Sequence, residues 1–170
     1  MDIREELPTD TESIHAVHAM SFPTTTEANL VEALREAGHL SISLACCDQD
    51  LLVGHVAFSP VTVNETAVGL GLGPIAVLPQ YRRRGIAEKL IRAGFEASNR
   101  LGHKFIVVLG DPSYYRRLGF KAASNWGLED EYGGGSAFQA IELQDRAIPS
   151  SGGSVQYARE FSVAANDGAA

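Results

Sequence analysis

The sequence predicts an α+β fold, a central mixed and mostly antiparallel twisted sheet of six to seven strands flanked by about four helices. Three observations predict it. Two helix-period segments follow a short first strand, and a block of adjacent strand-like runs comes next. Strands also outnumber the helices that could cross between them, which argues against a doubly wound sheet. Hydrophobic residues make up 45% of the 170, enough for a full core. No linker divides the chain, so a single domain is expected over 1–162, with a disordered tail over 163–170.

Ile3 to Leu7 reads as the first strand. Pro8-Thr9-Asp10 then turns, and Thr11 or Asp10 can cap a helix over 12–20 whose inner face carries Ile14, Val17 and His18. A second helix fits Thr26 to Ala37, with Leu30, Val31 and Leu34 as its stripe and Gly38 as its stop. Leu40 to Cys47 and Leu51 to Ser59, around Asp48-Gln49-Asp50, read as an antiparallel hairpin that residues 61–63 extend. Alternation would point one of Cys46 and Cys47 inward and the other outward, both as ordinary reduced residues.

Asn64-Glu65 turns into a strand over Ala67 to Leu78. Its glycines at 69, 71 and 73 imply a bulge or a close approach to the backbone. The helix of clearest period is Ile86 to Leu101, with Ala87, Leu90, Ile91, Gly94 and Phe95 on one side and Gly102 ending it. Phe105 to Leu109 has the unbroken apolar run of a strand buried on both faces. A short helical turn over Ser113 to Leu118 and late strands over 137–143 and 153–157 complete the order.

Composition excludes several classes of function. Net charge is -7, from 14 Lys+Arg against 21 Asp+Glu, which argues against general nucleic-acid binding. No run of 18 apolar residues spans a membrane. The N-terminus is charged from Asp2 onward and lacks a signal peptide's pattern, so a cytoplasmic location is expected. Neither the two cysteines nor the five histidines show metal-ligand spacing, and no metal is expected.

Against this acidic background, Arg82-Arg83-Arg84 concentrates positive charge between a strand that Pro79 ends and a helix. A turn entering a helix offers unpaired backbone N–H groups and the positive end of the helix dipole. Gly85 and Ala87 leave room for phosphate oxygens to reach those groups, and arginines add charge-assisted hydrogen bonds. The bland alternative is a solvated arginine turn before a capped helix.

Arg82-x-x-Gly85-x-Ala87, after Ile75-Ala76-Val77-x-Pro79, resembles the acetyl-CoA signature of the GCN5-related N-acetyltransferase (GNAT) superfamily. Tyr115-Arg116-Arg117-Leu118-Gly119-Phe120 is similar to that superfamily's second landmark, a tyrosine four residues before Gly-Phe. Gly110-Asp111-Pro112-x-Tyr114-Tyr115 and Gly54-His55-x-x-x-Ser59-Pro60-Val61 resemble bacterial acetyltransferases of the YhbS type. The resemblance implies a GNAT-like sheet splayed in the middle, with the cofactor arm between the strands of Ile75–Val77 and Phe105–Leu109. It implies that Ile75, Ala76 and Val77 pair with pantetheine. The diphosphate would lie on amides from Arg82 to Ala87, Ile86 included, helped by the side chains of Arg82, Arg83 and Arg84. Asp111 stands where many relatives carry a pantetheine-binding asparagine on a longer helix. It either substitutes for that residue or caps the turn.

The resemblance further implies acetyl transfer from acetyl-CoA to a primary amine by direct attack, with Tyr115 as the acid that protonates the thiolate and an amide near Val77 as the oxyanion donor. Glu27, His55 or a water chain would serve as base. The acceptor is a small-molecule or peptide amine, shaped by residues 20–40 and by 121–135, where Trp126, Tyr132 and Gly133-Gly134-Gly135 suggest an aromatic flap, Trp126 being equally suited to plug the core. The family also suggests a homodimer. An acyl-CoA-binding sensor without turnover is the alternative. A dinucleotide-dependent oxidoreductase is disfavoured, because its glycine fingerprint belongs at the first strand.

Overall fold

The computed structural model describes residues 1–168, with the backbone alone for Asp167 and Gly168. The chain begins with β1 (Asp2–Glu5), α1 (Thr11–Ser21) and α2 (Thr26–Glu36). Then come β2 (Ile42–Asp48), β3 (Leu51–Val63), β4 (Ala67–Val77), α3 (Ile86–Arg100), β5 (Phe105–Leu109) and α4 (Pro112–Arg116). It closes with β6 (Lys121–Ala122), β7 (Leu128–Asp130), β8 (Phe138–Glu142), β9 (Gly153–Gln156) and α5 (Glu160–Gly168). The mixed sheet thus has nine strands rather than six or seven, with five α-helices among the described residues. β6 and β7, of two and three residues, are too short to show a period.

Contacts divide the chain into two compact units. The first holds Met1–Ser59, Gly73–Ala97 and the segment from Ala158; the second holds Pro60–Leu72 and Ser98–Tyr157.

In the first unit β1, β2, the start of β3 and the end of β4 are neighbours in that order. The β1–β2 and β2–β3 pairs are antiparallel, with Ile3 opposite Cys46 and Ala45 opposite His55. The register shifts between Cys46 and Cys47. That bulge cancels the alternation expected of the two cysteines, and both are buried and free. α3 lays Ile86, Leu90 and Ile91 against the core, and Gly94 leaves room for the Phe58 ring.

Asp10 precedes α1 but does not cap it. Its carboxylate instead accepts from the Leu7 amide at 2.6 Å and pairs with Arg4. After α2, His39 N donates to the Leu34 carbonyl at 2.8 Å and Gly38 N to the Arg35 carbonyl at 3.1 Å, with Gly38 at φ +74°. This is the glycine stop that the sequence signals. Residues 163–168, expected in a disordered tail, belong to α5 instead. Glu160 in its first turn accepts from His39 at 2.9 Å, and α5 packs on α2. Ala169 and Ala170 lie outside the described residues.

In the second unit β4, β5, β8 and β6 are neighbours in that order, and β9 joins β3 to β7. β4 and β5 run parallel, with Leu70 opposite Ile106 and Gly71 opposite Val107. The close approach expected at the β4 glycines is made by aromatic rings. A Cβ on Gly69 would strike Phe105, and one on Gly71 would strike Tyr157. Phe105, Val107, Phe138, Ala140 and Val155 form the core of this unit, and Trp126 packs on its edge. The Trp126 indole donates to Glu142 at 3.3 Å. It is a plug rather than part of a flap.

Candidate active site

β4 ends in a single 3-10 turn, Pro79–Tyr81, after which Arg82 is extended and Arg83 and Gly85 take left-handed φ of 62° and 74°. Lys89 N donates to the Gly85 carbonyl at 3.1 Å, so Gly85 is the N-cap of α3. The amides of Ile86 and Ala87 follow it and have no intrahelical acceptor by helix geometry. A Cβ added at Gly85 would meet nothing within 4 Å. The helix mouth is therefore open, with amide donors and the positive end of the dipole facing the opening.

The three arginines do different things. Arg82 donates from Nε to the Val77 carbonyl at 3.2 Å and from Nη2 to the Ser21 carbonyl at 3.0 Å. Arg84 donates to the Gln80 carbonyl at 3.1 Å and stacks over the Tyr81 ring at 4.9 Å. Arg83 is exposed and has no side-chain partner among the described residues. Of the three, Arg83 alone is uncommitted within the fold.

The single hydroxyl proton of Ser21 is shared between the Val17 carbonyl of its own helix, at 2.6 Å, and the Val77 carbonyl, at 3.2 Å. The end of β4 is thereby tied to the end of α1. Ala76 is buried, while Ile75 and Val77 are half-buried.

In the second unit Asp111 caps α4. Its Oδ1 accepts from the Ser113 amide at 2.9 Å and from the Ser113 hydroxyl at 2.8 Å, with Pro112 following as the first helical residue. These bonds to Ser113 hold its carboxyl below the usual carboxylate range. Tyr115 sits within α4 at 8% exposure, edge-on to Tyr114 and to Phe120 at 5.1 and 5.5 Å. Gly110 leaves room for its ring. Burial, with a smaller contribution from Tyr114, pushes the Tyr115 phenol up to about 12. Its hydroxyl makes no hydrogen bond among the described residues.

Comparison with known proteins decides the family. The acetyltransferase (GNAT) domain family matches residues 2–123. The chain belongs to the GNAT acetyltransferase family. It is 40% identical over 164 residues to the uncharacterised N-acetyltransferase YhbS of Escherichia coli K12, covering 95% of this chain and 98% of that protein. The crystal structure of Escherichia coli YhbS in complex with CoA matches with a TM-score of 0.91 at 38% identity, over 95% of this chain and 91% of that one. A GNAT family acetyltransferase from Brucella melitensis, crystallised with acetyl-CoA, matches with a TM-score of 0.80 at 36% identity, over 94% and 97% of the two chains.

Membership of the GNAT family makes the chain an acyltransferase. Among the described residues no cluster of three His, Cys, Asp or Glu could hold a metal, and no helix is long and apolar enough to cross a membrane. Of the two base candidates on the first unit, His55 is fully buried. Both its ring nitrogens are engaged, Nδ1 with His18 at 2.9 Å and Nε2 with Ser43 at 2.8 Å. Glu27 lies in the first turn of α2, with Oε2 buried and without a partner among the described residues.

Residues outside the signature complete this network. Ser43 donates a short hydrogen bond to Glu6, which Arg35 grips from Nε and Nη2 at 2.8 and 2.9 Å. Its traces in the sequence are two histidines, His18 at a core position of α1 and His55 among the base candidates. Ser43, Glu6 and Arg35 come from three separate elements, and no local pattern links them.

Proposed function

We propose that the protein is an acetyl-CoA-dependent N-acetyltransferase that acetylates a primary amine. The observation that supports this most directly is the open N-terminus of α3, where the amides of Gly85, Ile86 and Ala87 face a space that a side chain on Gly85 would enter. These groups fit a diphosphate, whose oxygens accept what the helix start donates. The CoA and acetyl-CoA bound to the two related crystal structures support the same reading.

Acetyl-CoA supplies an activated acyl group. In this reading the amides from Arg82 to Ala87 hold the diphosphate, with Arg83 adding a charge-assisted bond. Ile75, Ala76 and Val77 present backbone to pantetheine. The Val77 carbonyl is already taken by Arg82 and Ser21, which leaves its N–H as the group for the carbonyl oxygen of the thioester. Tyr115 donates its proton to the departing sulfur. Burial keeps the phenol protonated across the physiological range, and the same desolvation makes a thiolate beside it more basic. Asp111 acts as a cap.

A thermal-shift panel of acetyl-CoA, CoA, NAD and ATP tests the reading. Acetyl-CoA and CoA raise the melting temperature by binding the native state, and NAD does not. A shift with NAD and none with either CoA species overturns it.

A further inference from the structure

The buried chain on the first unit has a direction. Ser43 has one hydroxyl proton and donates it to Glu6, so it must accept from His55 Nε2–H. That leaves His55 Nδ1 as an acceptor, and the proton between the two rings belongs to His18 Nε2. His18 Nδ1 is then a lone pair that is buried and has no partner among the described residues. The Glu6–Arg35 ion pair anchors the far end and so fixes both tautomers, as a carboxylate fixes the histidine in a hydrolase triad. Burial depresses the basicity of both rings; His18 and Arg35 add to it at His55, where Asp10 opposes, and His15 and Arg35 add to it at His18. Both rings are neutral at pH 7.

The helix that carries this open end also meets the end of β4. Ser21, three residues beyond His18 and so one turn along α1, holds the Val77 carbonyl. Phe22 stacks on His18 with centroids 6.2 Å apart. It begins the link to α2, whose Pro23, Thr24 and Thr25 are exposed.

Given the transferase reading above, on which this rests, we infer that His18 accepts at Nδ1 the proton lost by the attacking amine, directly or across one water. Glu6, Ser43 and His55 are the positioning residues that keep that nitrogen deprotonated and aimed. The N–C bond forms from the amine's lone pair, and the C–S pair leaves with sulfur. The amine N–H proton moves to Nδ1 while its bonding pair stays on nitrogen, and water later removes that proton. Admission of the amine displaces Phe22. An unmet buried acceptor destabilises the fold, and an incoming N–H donor offsets that.

The test uses the full chain with acetyl-CoA and spermidine, an aminoglycoside and a peptide N-terminus as alkylamine acceptors, and hydroxylamine as an acceptor already neutral at pH 7. His18→Gln keeps a donor to His55 and removes the basic nitrogen. Its kcat on whichever alkylamine the wild type uses is expected to fall about 100-fold or more. Acetyl-CoA affinity stays within twofold, and the loss on hydroxylamine is below tenfold. Ring ¹⁵N spectra should show both histidines as Nε2–H tautomers, and Ser43→Ala should shift the His55 populations. Should His18→Gln fail to fold, Ser43→Ala serves in its place, with kcat expected about tenfold lower and acetyl-CoA affinity unchanged.

Alkylamine turnover by His18→Gln within threefold of wild type overturns the proposal, as does unchanged turnover by Ser43→Ala or an Nδ1–H tautomer at His18. A wild type that binds acetyl-CoA but acetylates none of these amines overturns it as well, leaving the cofactor reading intact. A wild type that does not bind acetyl-CoA sinks the transferase reading first.

Discussion

Arg82 donates to the carbonyl of Val77 across the turn that follows β4, at 3.2 Å. A residue of the turn before α3 thus braces the strand that precedes it and reaches α1 through Ser21, while its neighbour Arg83 extends into solvent with φ 62° and no partner among the described residues.

The two arginines should therefore separate on mutation. Arg82→Ala removes two exposed hydrogen bonds and is expected to lower stability by about 0.5–1 kcal/mol after solvent screening, with a weaker effect on cofactor affinity. Arg83→Ala should leave the melting temperature unchanged and raise the acetyl-CoA Kd about tenfold, as expected for one charge-assisted bond to phosphate. Calorimetric titration and thermal melts check both.

Gly110 lies against the Tyr115 ring. Gly110→Ala forces that ring aside and should cost about 1–3 kcal/mol, as overpacking does. Turnover should fall further than the stability loss explains, because the phenol moves. Kinetics below the melting range separates the two effects.

Tyr115→Phe keeps the packing and removes the proton donor. Turnover is expected to fall by about 10²–10⁴ with acetyl-CoA affinity unchanged. Unchanged turnover removes Tyr115 from the mechanism, and intact binding with no wild-type turnover on any amine favours the sensor reading. The phenol also leaves an alkaline signature. Its pKa is raised from 10 to about 12 in the fold, so between those values the unfolded chain sheds a proton that the fold keeps. The contribution is full below pH 10 and is lost as pH rises towards 12, by about 1.4 kcal/mol per unit. Tyr115→Phe should flatten that part of the stability curve.

The buried histidine pair predicts the opposite slope on the acid side. His18 is depressed from 6.5 to about 4, by burial first and then by the charges of His15 and Arg35. Below 6.5 the unfolded chain takes up protons that the folded ring refuses. The stability present above 6.5 is therefore lost as pH falls to about 4, by up to about 1.4 kcal/mol per unit. Denaturant melts at pH 7 and pH 5 should show a smaller drop for His18→Gln than for the wild type.

What the sequence made legible follows from how local each signal is. The α2 stop at Gly38, the unbroken β5 run and the Arg82-to-Ala87 turn each depend on neighbours in sequence, and each was readable there. The bulge that buries both Cys46 and Cys47 depends on pairing with β3 and was not. Glu160, whose partner His39 lies 121 residues away, anchors the first turn of α5, whose residues from 163 onward composition alone had assigned to a tail. The His18–His55–Ser43–Glu6–Arg35 chain is the extreme case. Its members come from both helices of the N-terminal hairpin, from β2 and β3, and from the residue just after β1, and only the fold assembles them.

The account depends most on the claim that backbone amides at the mouth of α3 grip a diphosphate. The direct measurement compares, by calorimetric titration, the affinity of acetyl-CoA with that of acetyl-pantetheine, which carries the same thioester and amides without diphosphate or nucleotide. Acetyl-CoA is expected to bind at least about 100-fold more tightly, a difference of roughly 2.7 kcal/mol, and Gly85→Val should remove most of that advantage. Equal affinities for the two ligands would contradict it.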